Sequence, residues 1–194
     1  MGRPREFDPE EALEVVMRIF WQRGYEATSL NDLTDALKIT KTSLYHAFGK
    51  KDALFGKAFD RYRNTLLSFI DPALESATSL EVVSTLLHGF ADVNTKPGTP
   101  TGCLVTNAAI VGSEEAEPVR LDLIRGRVHL EAKLTQRLER AKAEGDLPAD
   151  ADPSALASMV MIFSHGMSIQ ASSGASREGL HAAVDQLLAS WPRA

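Results

Sequence analysis

Disulfides, membrane spans and secretory signals are all missing from this 194-residue sequence. Its single cysteine, Cys103, cannot form a disulfide within the chain and cannot build a thiolate metal site on its own. The longest apolar runs are only a handful of residues, and residues 1–5 lead into charged sequence rather than an apolar segment. We therefore expect a cytoplasmic protein that has no membrane partner.

Metal-ligand and catalytic spacings are missing as well. The five histidines are His46, His88, His129, His165 and His181. They are dispersed, and none belongs to a metal-ligand pattern such as His-Glu-x-x-His. Three aspartates cluster at Asp146, Asp150 and Asp152, but turn and cap roles explain them and no calcium-loop spacing surrounds them. We expect neither an enzyme nor a protein with a metal or cofactor.

The chain is short of basic charge, with 21 basic residues against 26 acidic ones and a formal net charge of −5. This balance argues against a protein that coats nucleic acid along its whole surface. Residues 1–63 nevertheless carry 11 lysines and arginines against 10 acids, whereas the remainder carries 10 against 16. Within that first part, segment 38–51 (KITKTSLYHAFGKK) has four lysines and no carboxylate. Basic character is therefore local.

Apolar residues recur with a helical period, and no alternating strand pattern of useful length is present. The first helix is marked by Asp8 as a cap, Pro9 at its first position and Gly24 as a stop. Its single apolar stripe consists of Ala12, Val15, Val16, Ile19 and Phe20. We predict an all-α chain of about nine helices, the first of them over residues 9–23.

Two short helices are predicted next, over residues 30–37 and 41–48, joined by a three-residue break. A longer helix begins at Lys51 and is broken or kinked near Pro72. Two short helices with a tight break, supported by a preceding helix, are the geometry of a helix-turn-helix, whose second helix enters the DNA major groove.

The second short helix divides its side chains between core and solvent. Leu44 and Phe48 are four residues apart and point inward. The groups suited to base edges are Lys41, Thr42, Ser43 and His46, and those suited to phosphate are Thr40, Tyr45 and Lys51. Backbone N–H groups at the start of the next helix are suited to another phosphate. The plainer alternative is that the lysines mark only a solvated helix face.

Several short motifs stand at fixed distances from one another. They are Gly24-Tyr25-Glu26-Ala27-Thr28-Ser29, Asp32-Leu33, Lys41-Thr42-Ser43-Leu44-Tyr45-His46-Ala47-Phe48 and Lys51-Asp52-Ala53-Leu54-Phe55. With these motifs, residues 11–55 resemble the N-terminal domain of the TetR (tetracycline-repressor-like) family of bacterial transcriptional regulators. The resemblance implies that Tyr45 and Lys51 contact phosphates while Thr42, Ser43 and His46 face the groove.

We also include Thr28 and Ser29, which open the second helix, among the predicted DNA-binding residues. Lys38 departs from the family, which often has a residue such as glycine in this turn, and we expect a small geometric adjustment there. Arg3 and Arg5 precede the first helix, either as a basic arm that reaches the minor groove or as a solvated tail.

The resemblance further implies a homodimer that reads two half-sites of a palindrome. We assign residues 1–55 to the DNA-binding domain and 56–194 to a larger helical domain for dimerisation and ligand binding. The last two helices, predicted over residues 153–174 and 176–191, are our candidates for the dimer interface. Their apolar stripes are Leu156, Met159, Val160 and Phe163 on one helix, and Leu180, Val184, Leu187, Leu188 and Trp191 on the other. The alternative is that each stripe belongs to the intramolecular core.

The resemblance also implies a cavity for a small-molecule inducer of unknown identity. Ligand sites tend to combine large apolar side chains with a few polar groups. On this ground, the residues that we predict to line the cavity are Phe90, Cys103, Asn107, Met159, Phe163 and Met167. Cys103 begins the helix predicted over residues 103–111, where the helix macrodipole stabilises a thiolate. A TetR subgroup with a similar segment includes sensors of electrophiles or oxidants. A lone cysteine can equally be a small core residue.

The sequence thus predicts a ligand-responsive DNA-binding regulator, a repressor that a small molecule releases from a palindromic operator. Two alternatives stay open. In one, modification of Cys103 replaces reversible ligand binding. In the other, the protein is an architectural DNA-binding protein without a ligand, although the large apolar C-terminal part exceeds what DNA binding requires.

Overall fold

The computed structural model describes residues 8–109 and 116–194. The predicted arm residues Arg3 and Arg5, and the end of the helix predicted to reach residue 111, lie outside these ranges. Helices account for all the regular structure in the described part of the chain, and there are ten of them. They are α1 Pro9–Arg23, α2 Leu30–Leu37, α3 Lys41–Phe48, α4 Lys51–Leu66, α5 Ile70–Leu74, α6 Ser79–Asn94, α7 Leu104–Ala109, α8 Glu117–Ala143, α9 Pro153–Ser172 and α10 Arg177–Ala189.

The all-α prediction is confirmed, and the helix beyond the predicted nine is α5. Proline was expected to interrupt a helix at this point, and α4 does end at Leu66. Pro72, however, is the third residue of a new short helix. In the first turn of a helix, backbone N–H groups have no intrahelical partner, so a proline there removes no hydrogen bond.

The apolar core forms two clusters. The first gathers α1 to α4 around Trp21, Phe20 and Tyr62 and extends to Leu104 of α7. The second joins α5, α6, α9, α10 and the end of α8, and Phe69 packs against both clusters. Helix α4 runs straight across the predicted domain boundary at residue 55. The first cluster also includes Leu104 and Leu123, so the two parts are in direct contact, and the boundary itself stays a prediction.

Helices α1 and α4 are also joined by ion pairs. Arg61 of α4 donates to Glu10 at 2.6 Å and to Glu14 at 3.0 Å, while Arg18 donates to Glu14 at 2.8 Å. Partial burial alone would raise the pKa of Glu14, but the hydrogen bonds and charges of Arg18 and Arg61 outweigh it and lower that pKa. The carboxylate therefore favours the folded state in its ionised form.

A lowered pKa at Glu14 makes the stability of the α1–α4 contact depend on pH. Its contribution is complete above the ordinary value of 4.5 and is lost as the pH falls through the lowered folded value. In chemical denaturation, Glu14→Gln should cost up to about 1 kcal/mol at pH 7, because the ion pairs are partly exposed. The cost should shrink below pH 4.5. If Glu14→Gln lowered the free energy of unfolding equally at about pH 3 and about pH 7, this pH dependence would be contradicted.

Helix α10 packs on α6 through a line of polar groups. The Nδ1 atoms of His88 and His181 lie 2.8 Å apart and share a hydrogen bond. The outer Nε2 atoms face Asp185 at 3.3 Å and Asp92 at 2.7 Å, and Arg177 also donates to Asp92. This line fixes the C-terminal helix against the second core cluster.

Candidate nucleic-acid interface

Helix α2 is fixed at its start by reciprocal capping. The Asp32 N–H donates to Ser29 Oγ at 3.1 Å, and the Ser29 N–H donates to Asp32 Oδ2 at 2.8 Å. Arg23 at the end of α1 donates to the other oxygen of Asp32 at 2.8 Å. Hydrogen bonds from Ser29 are the main reason that the pKa of Asp32 lies below its usual value. Helix α2 therefore starts at a fixed angle to α1.

The break between α2 and α3 is a tight turn with a left-handed residue. Lys38 has φ 54° and ψ 40°, the one positive φ among the described non-glycine residues. This is the adjustment expected where the family often has glycine. Thr40 then caps α3, since its Oγ1 accepts from the Ser43 N–H at 3.1 Å and contacts Ser43 Oγ at 3.0 Å.

Helix α3 presents one apolar face and one polar face. Leu44 and Phe48 are buried in the first core cluster, as the sequence predicts. Lys41, Thr42 and His46 are exposed, as is Tyr45, whose exposed fraction of 41% is large for an aromatic residue. The polar face of α3 is therefore open to a partner.

The start of α4 adds positive charge beside this face. Lys50 is its N-cap, and the Lys50 side chain makes no capping hydrogen bond. Lys51 lies over the ring of Tyr25, with Nζ 4.3 Å from the ring centroid. A surface cleft is lined by Pro118 and Val119 of α8 and by Tyr25, Tyr45, Gly49, Lys50, Lys51 and Asp52, so two lysines face one carboxylate there. Lysines and helix N–H groups in one cleft suit an anion such as phosphate.

Two assignments within this site change. Thr28 is fully buried and its Oγ1 donates to the Gly24 carbonyl at 2.7 Å, so its side chain stabilises the α1–α2 connection and is not exposed beside α3. Lys50 was not among the predicted residues, although the sequence places two consecutive lysines at the start of α4, and both line the cleft beside Tyr45. The remaining predicted residues lie on α3 or on the adjoining ends of α2 and α4: Ser29, Thr40, Lys41, Thr42, Ser43, Tyr45, His46 and Lys51.

The structure does not bring all six predicted ligand residues together. Phe90, Phe163 and Met167 pack in the second core cluster, whereas Cys103 packs against the first. The Asn107 amide donates to the Trp21 carbonyl at 3.2 Å. Met159 stands apart, because it lies on an exposed stripe of α9 rather than inside the fold. The clefts described here and at residues 139–153 contain none of the six.

Cys103 lies just before α7, whereas the sequence suggested a place within the first turn. Its N–H donates to Ser168 Oγ at 2.8 Å, and the Tyr62 hydroxyl donates to its Sγ at 3.5 Å. Burial raises the pKa of the Tyr62 hydroxyl well above its ordinary value, so this group stays protonated as a donor. The cysteine thus contacts both α4 and α9.

Most of the exposed large apolar side chains lie on α8 and α9, and none of them lies on α10. Leu180, Val184 and Trp191 of the C-terminal segment are buried, and the Trp191 indole donates to Ser79 Oγ at 3.2 Å. The large apolar side chains that remain exposed on α8 and α9 are Leu121, Val128, Met159, Ile162 and Ile169. We call these five residues the α8–α9 face. Leu180, Val184 and Trp191 therefore belong to the intramolecular core, and the part of α10 in a dimer interface stays a prediction.

Both parts of the chain match known family models. Residues 12–58 match the model of bacterial regulatory proteins of the tetR family, and residues 79–187 match the tetracyclin repressor-like C-terminal domain. The HTH-type transcriptional repressor ComR of Escherichia coli K12 is 33% identical over 193 residues, which cover 98% of this chain and 92% of the relative.

A solved structure is similar throughout. A cysteine mutant of the TetR family transcriptional regulator CifR, bound to 26-bp double-strand operator DNA, is 39% identical, with a TM-score of 0.91 over 98% of this chain and 100% of that one. The reduced form of Escherichia coli NemR shares the fold, with 21% identity and a TM-score of 0.71 over 92% of this chain and 94% of that one.

Among the described residues, no helix has the length and apolar character needed to span a membrane.

The family assignment also decides the class of protein. The matched models and the relatives are transcriptional regulators and not enzymes, as the sequence predicted. This chain belongs to the TetR family of bacterial transcriptional regulators.

Proposed function

We propose that the protein is a cytoplasmic, homodimeric repressor that binds a palindromic operator with α3 in the major groove. The observation that carries this proposal is the division of α3, in which Leu44 and Phe48 hold the helix while Lys41, Thr42 and His46 are exposed. Its similarity to CifR, which was solved on operator DNA, supports the same docking.

In this docking, phosphate contacts come from the ends of the helices that flank α3. Tyr45, Lys50 and Lys51 share one cleft beside the N–H groups of α4, where the helix dipole also favours an anion. Thr40 and Ser29 stand at the starts of α3 and α2. These contacts fix the position of the protein on the duplex without reading sequence.

Base reading falls mainly to Thr42 and His46, with Lys41 at the start of the helix. All three side chains are exposed. Ser43 is half-buried and its hydroxyl is engaged with Thr40, which restricts the directions in which it can reach a base. A lysine or histidine donor suits guanine, and a threonine methyl or hydroxyl suits several bases.

We expect the two classes of contact to separate in binding experiments on a duplex selected from random-sequence DNA. Lys51→Ala should weaken binding to all sequences and reduce the slope of log affinity against log salt by about one unit. His46→Ala or Thr42→Ala should instead change the base preference at one position of each half-site. Lys57→Ala, an exposed lysine further along α4, is the control. A Lys51→Ala variant with unchanged affinity and salt dependence would show that the docking is wrong.

The regulatory part of the proposal is that a small molecule bound by the C-terminal part releases the operator. Such a ligand must bind the conformation that does not fit the operator more tightly than the one that does. The match of residues 79–187 to a tetracyclin repressor-like C-terminal domain supports this assignment.

A second candidate is release through modification of Cys103. The observation in its favour is that Cys103 contacts Tyr62 of α4, the helix whose start flanks α3. A group added to Sγ would displace that hydroxyl. Cys103→Ser separates the two candidates, because it removes the response to an electrophile and leaves the response to a reversibly bound inducer in place.

A further inference from the structure

The loop between α6 and α7 is tied to both parts of the molecule. On one side, the buried indole N–H of Trp21 in α1 donates to the Gly102 carbonyl at 2.8 Å. On the other side, the Gly102 N–H donates to the Asn94 carbonyl of α6 at 2.9 Å, and the Cys103 N–H donates to Ser168 Oγ of α9 at 2.8 Å. Two consecutive residues therefore connect α1 to α6 and α9.

The loop packs closely against α9 at Gly102. Gly102 has φ +79°, and a Cβ at this position would collide with Ser172 Oγ and lie 3.0 Å from the Ser168 carbonyl oxygen. A larger residue would be strained by its backbone and blocked by α9. The loop backbone thus lies directly against α9, and a shift of either element moves the other.

The α1 side of the connection is equally firm. Trp21 is fully buried and packs edge-to-face on Tyr62, with ring centroids 5.1 Å apart. Asn107 of α7 donates back to the Trp21 carbonyl, and Arg18 donates to the Gly98 carbonyl at 2.6 Å. Helix α1 in turn holds α2 through the Arg23–Asp32 pair.

We infer that Trp21 is a positioning residue for operator binding: its hydrogen bond to Gly102 sets the orientation of α1–α3 relative to α9. We call the path Trp21–Gly102–Cys103–Ser168 the interdomain latch. The inference rests on the proposed function, in which a dimer reads DNA with α3, and it takes the exposed α8–α9 face as the dimer contact. In that dimer, the latch sets the separation of the two α3 helices.

The chain provides a matched control in its other tryptophan. Trp191 is also buried and also donates its indole N–H, to Ser79 Oγ at 3.2 Å, but it belongs to the second core cluster. Trp21→Phe and Trp191→Phe each remove one buried indole donor and shrink one aromatic ring. Only the first cuts the latch.

The test uses the dimeric full-length protein and a duplex that the wild type selects from random-sequence DNA, together with the same duplex carrying one extra base pair between the half-sites. Trp21→Phe should bind the selected duplex roughly five- to tenfold more weakly, as expected for the loss of one buried hydrogen bond that favours the competent orientation. It should also discriminate less between the two spacings, with an unchanged salt slope. Trp191→Phe should keep the wild-type spacing preference.

Ser168→Ala cuts the latch from the α9 side and keeps the test valid if Trp21→Phe does not fold. Its control is Ser164→Ala, whose hydroxyl donates to the Met161 carbonyl of its own helix. The inference is overturned if Trp21→Phe or Ser168→Ala, once folded, matches its control in spacing preference. A wild-type protein that selects no DNA sequence would instead overturn the proposed function.

Discussion

Ile162→Asp is expected to convert the protein to a monomer and to weaken operator binding by at least about a hundredfold. Ile162 is 69% exposed and lies on the same stripe of α9 as Ile169, which is 53% exposed, while Val128 of α8 is 61% exposed. Apolar side chains of this size are normally buried, and several on adjacent helices mark an interaction surface. A second copy of the same face is the simplest cover for it.

The size of the effect follows from two costs. An aspartate at the centre of an apolar interface must be desolvated without a partner, which costs several kcal/mol. A monomer then reaches one half-site only, and the gain from binding both half-sites at once, typically 10²- to 10⁴-fold, disappears. Light scattering measures the mass of the particle, and titration of the selected duplex measures its affinity.

Val15→Asp is the matched control, because Val15 is an exposed apolar residue of α1, outside the α8–α9 face. It should leave the dimer intact. An Ile162→Asp protein that remains a dimer with wild-type affinity would place the dimer interface on another surface.

Arg137→Ala is expected to lower the free energy of unfolding by about 3 kcal/mol. The side chain is only 6% exposed, although it belongs to a charged residue on the long helix α8. Its Nε donates to the Leu74 carbonyl at 3.1 Å, and its Nη2 donates to the carbonyls of Ser76 at 2.7 Å and Ala77 at 3.0 Å. Arg137 thus holds the end of α5 and the turn that leads into α6.

The substitution would leave these three carbonyls without their donor and open a void in the second core cluster. The bond to the Leu74 carbonyl is buried, and a buried group without a partner costs about 1–3 kcal/mol, whereas the bonds to Ser76 and Ala77 are only partly buried and their loss costs less. Partial relief comes from removing a buried cation whose Nη1 has no hydrogen-bond partner. Thermal unfolding should shift downward by roughly 10 °C for a chain of this size.

Arg140→Ala, less than one turn further along α8, is the control. Arg140 is exposed and pairs with Glu144 at 3.0 Å, an i,i+4 surface pair worth less than about 0.5 kcal/mol. Equal destabilisation by the two substitutions would mean that the Arg137 contacts do not hold the α5–α6 turn.

Local signals explain why the N-terminal helices could be predicted from sequence. Asp8, Ser29 and Thr40 each accept a backbone N–H at the start of a helix, and Gly24 and Gly49 follow the ends of α1 and α3. Capping depends only on residues a few positions away, so the start and the end of a capped helix can be predicted from the local sequence. The inward direction of Leu44 and Phe48 follows from the same short-range periodicity.

Long-range packing explains what could not be predicted. Tryptophan is a residue type that is enriched at interfaces. Whether Trp191 faces a second chain or Ser79 of the same chain depends on how α10 docks on α6. Thr28 carries a hydroxyl suited to DNA, and only the fold shows that Gly24 accepts its hydrogen bond. Met159 shows the same limit, since a helical stripe does not reveal which side of α9 the rest of the chain covers.

The central claim, that a dimer of this chain reads a two-fold symmetric operator with α3, is tested most directly by selection from random-sequence DNA with the purified protein. The account predicts an enriched palindrome whose half-site centres are about one helical turn or a multiple of it apart. It also predicts that His46→Ala changes the enriched bases symmetrically in both half-sites. Enrichment of no sequence, or of one asymmetric site that His46→Ala leaves unchanged, would contradict the claim.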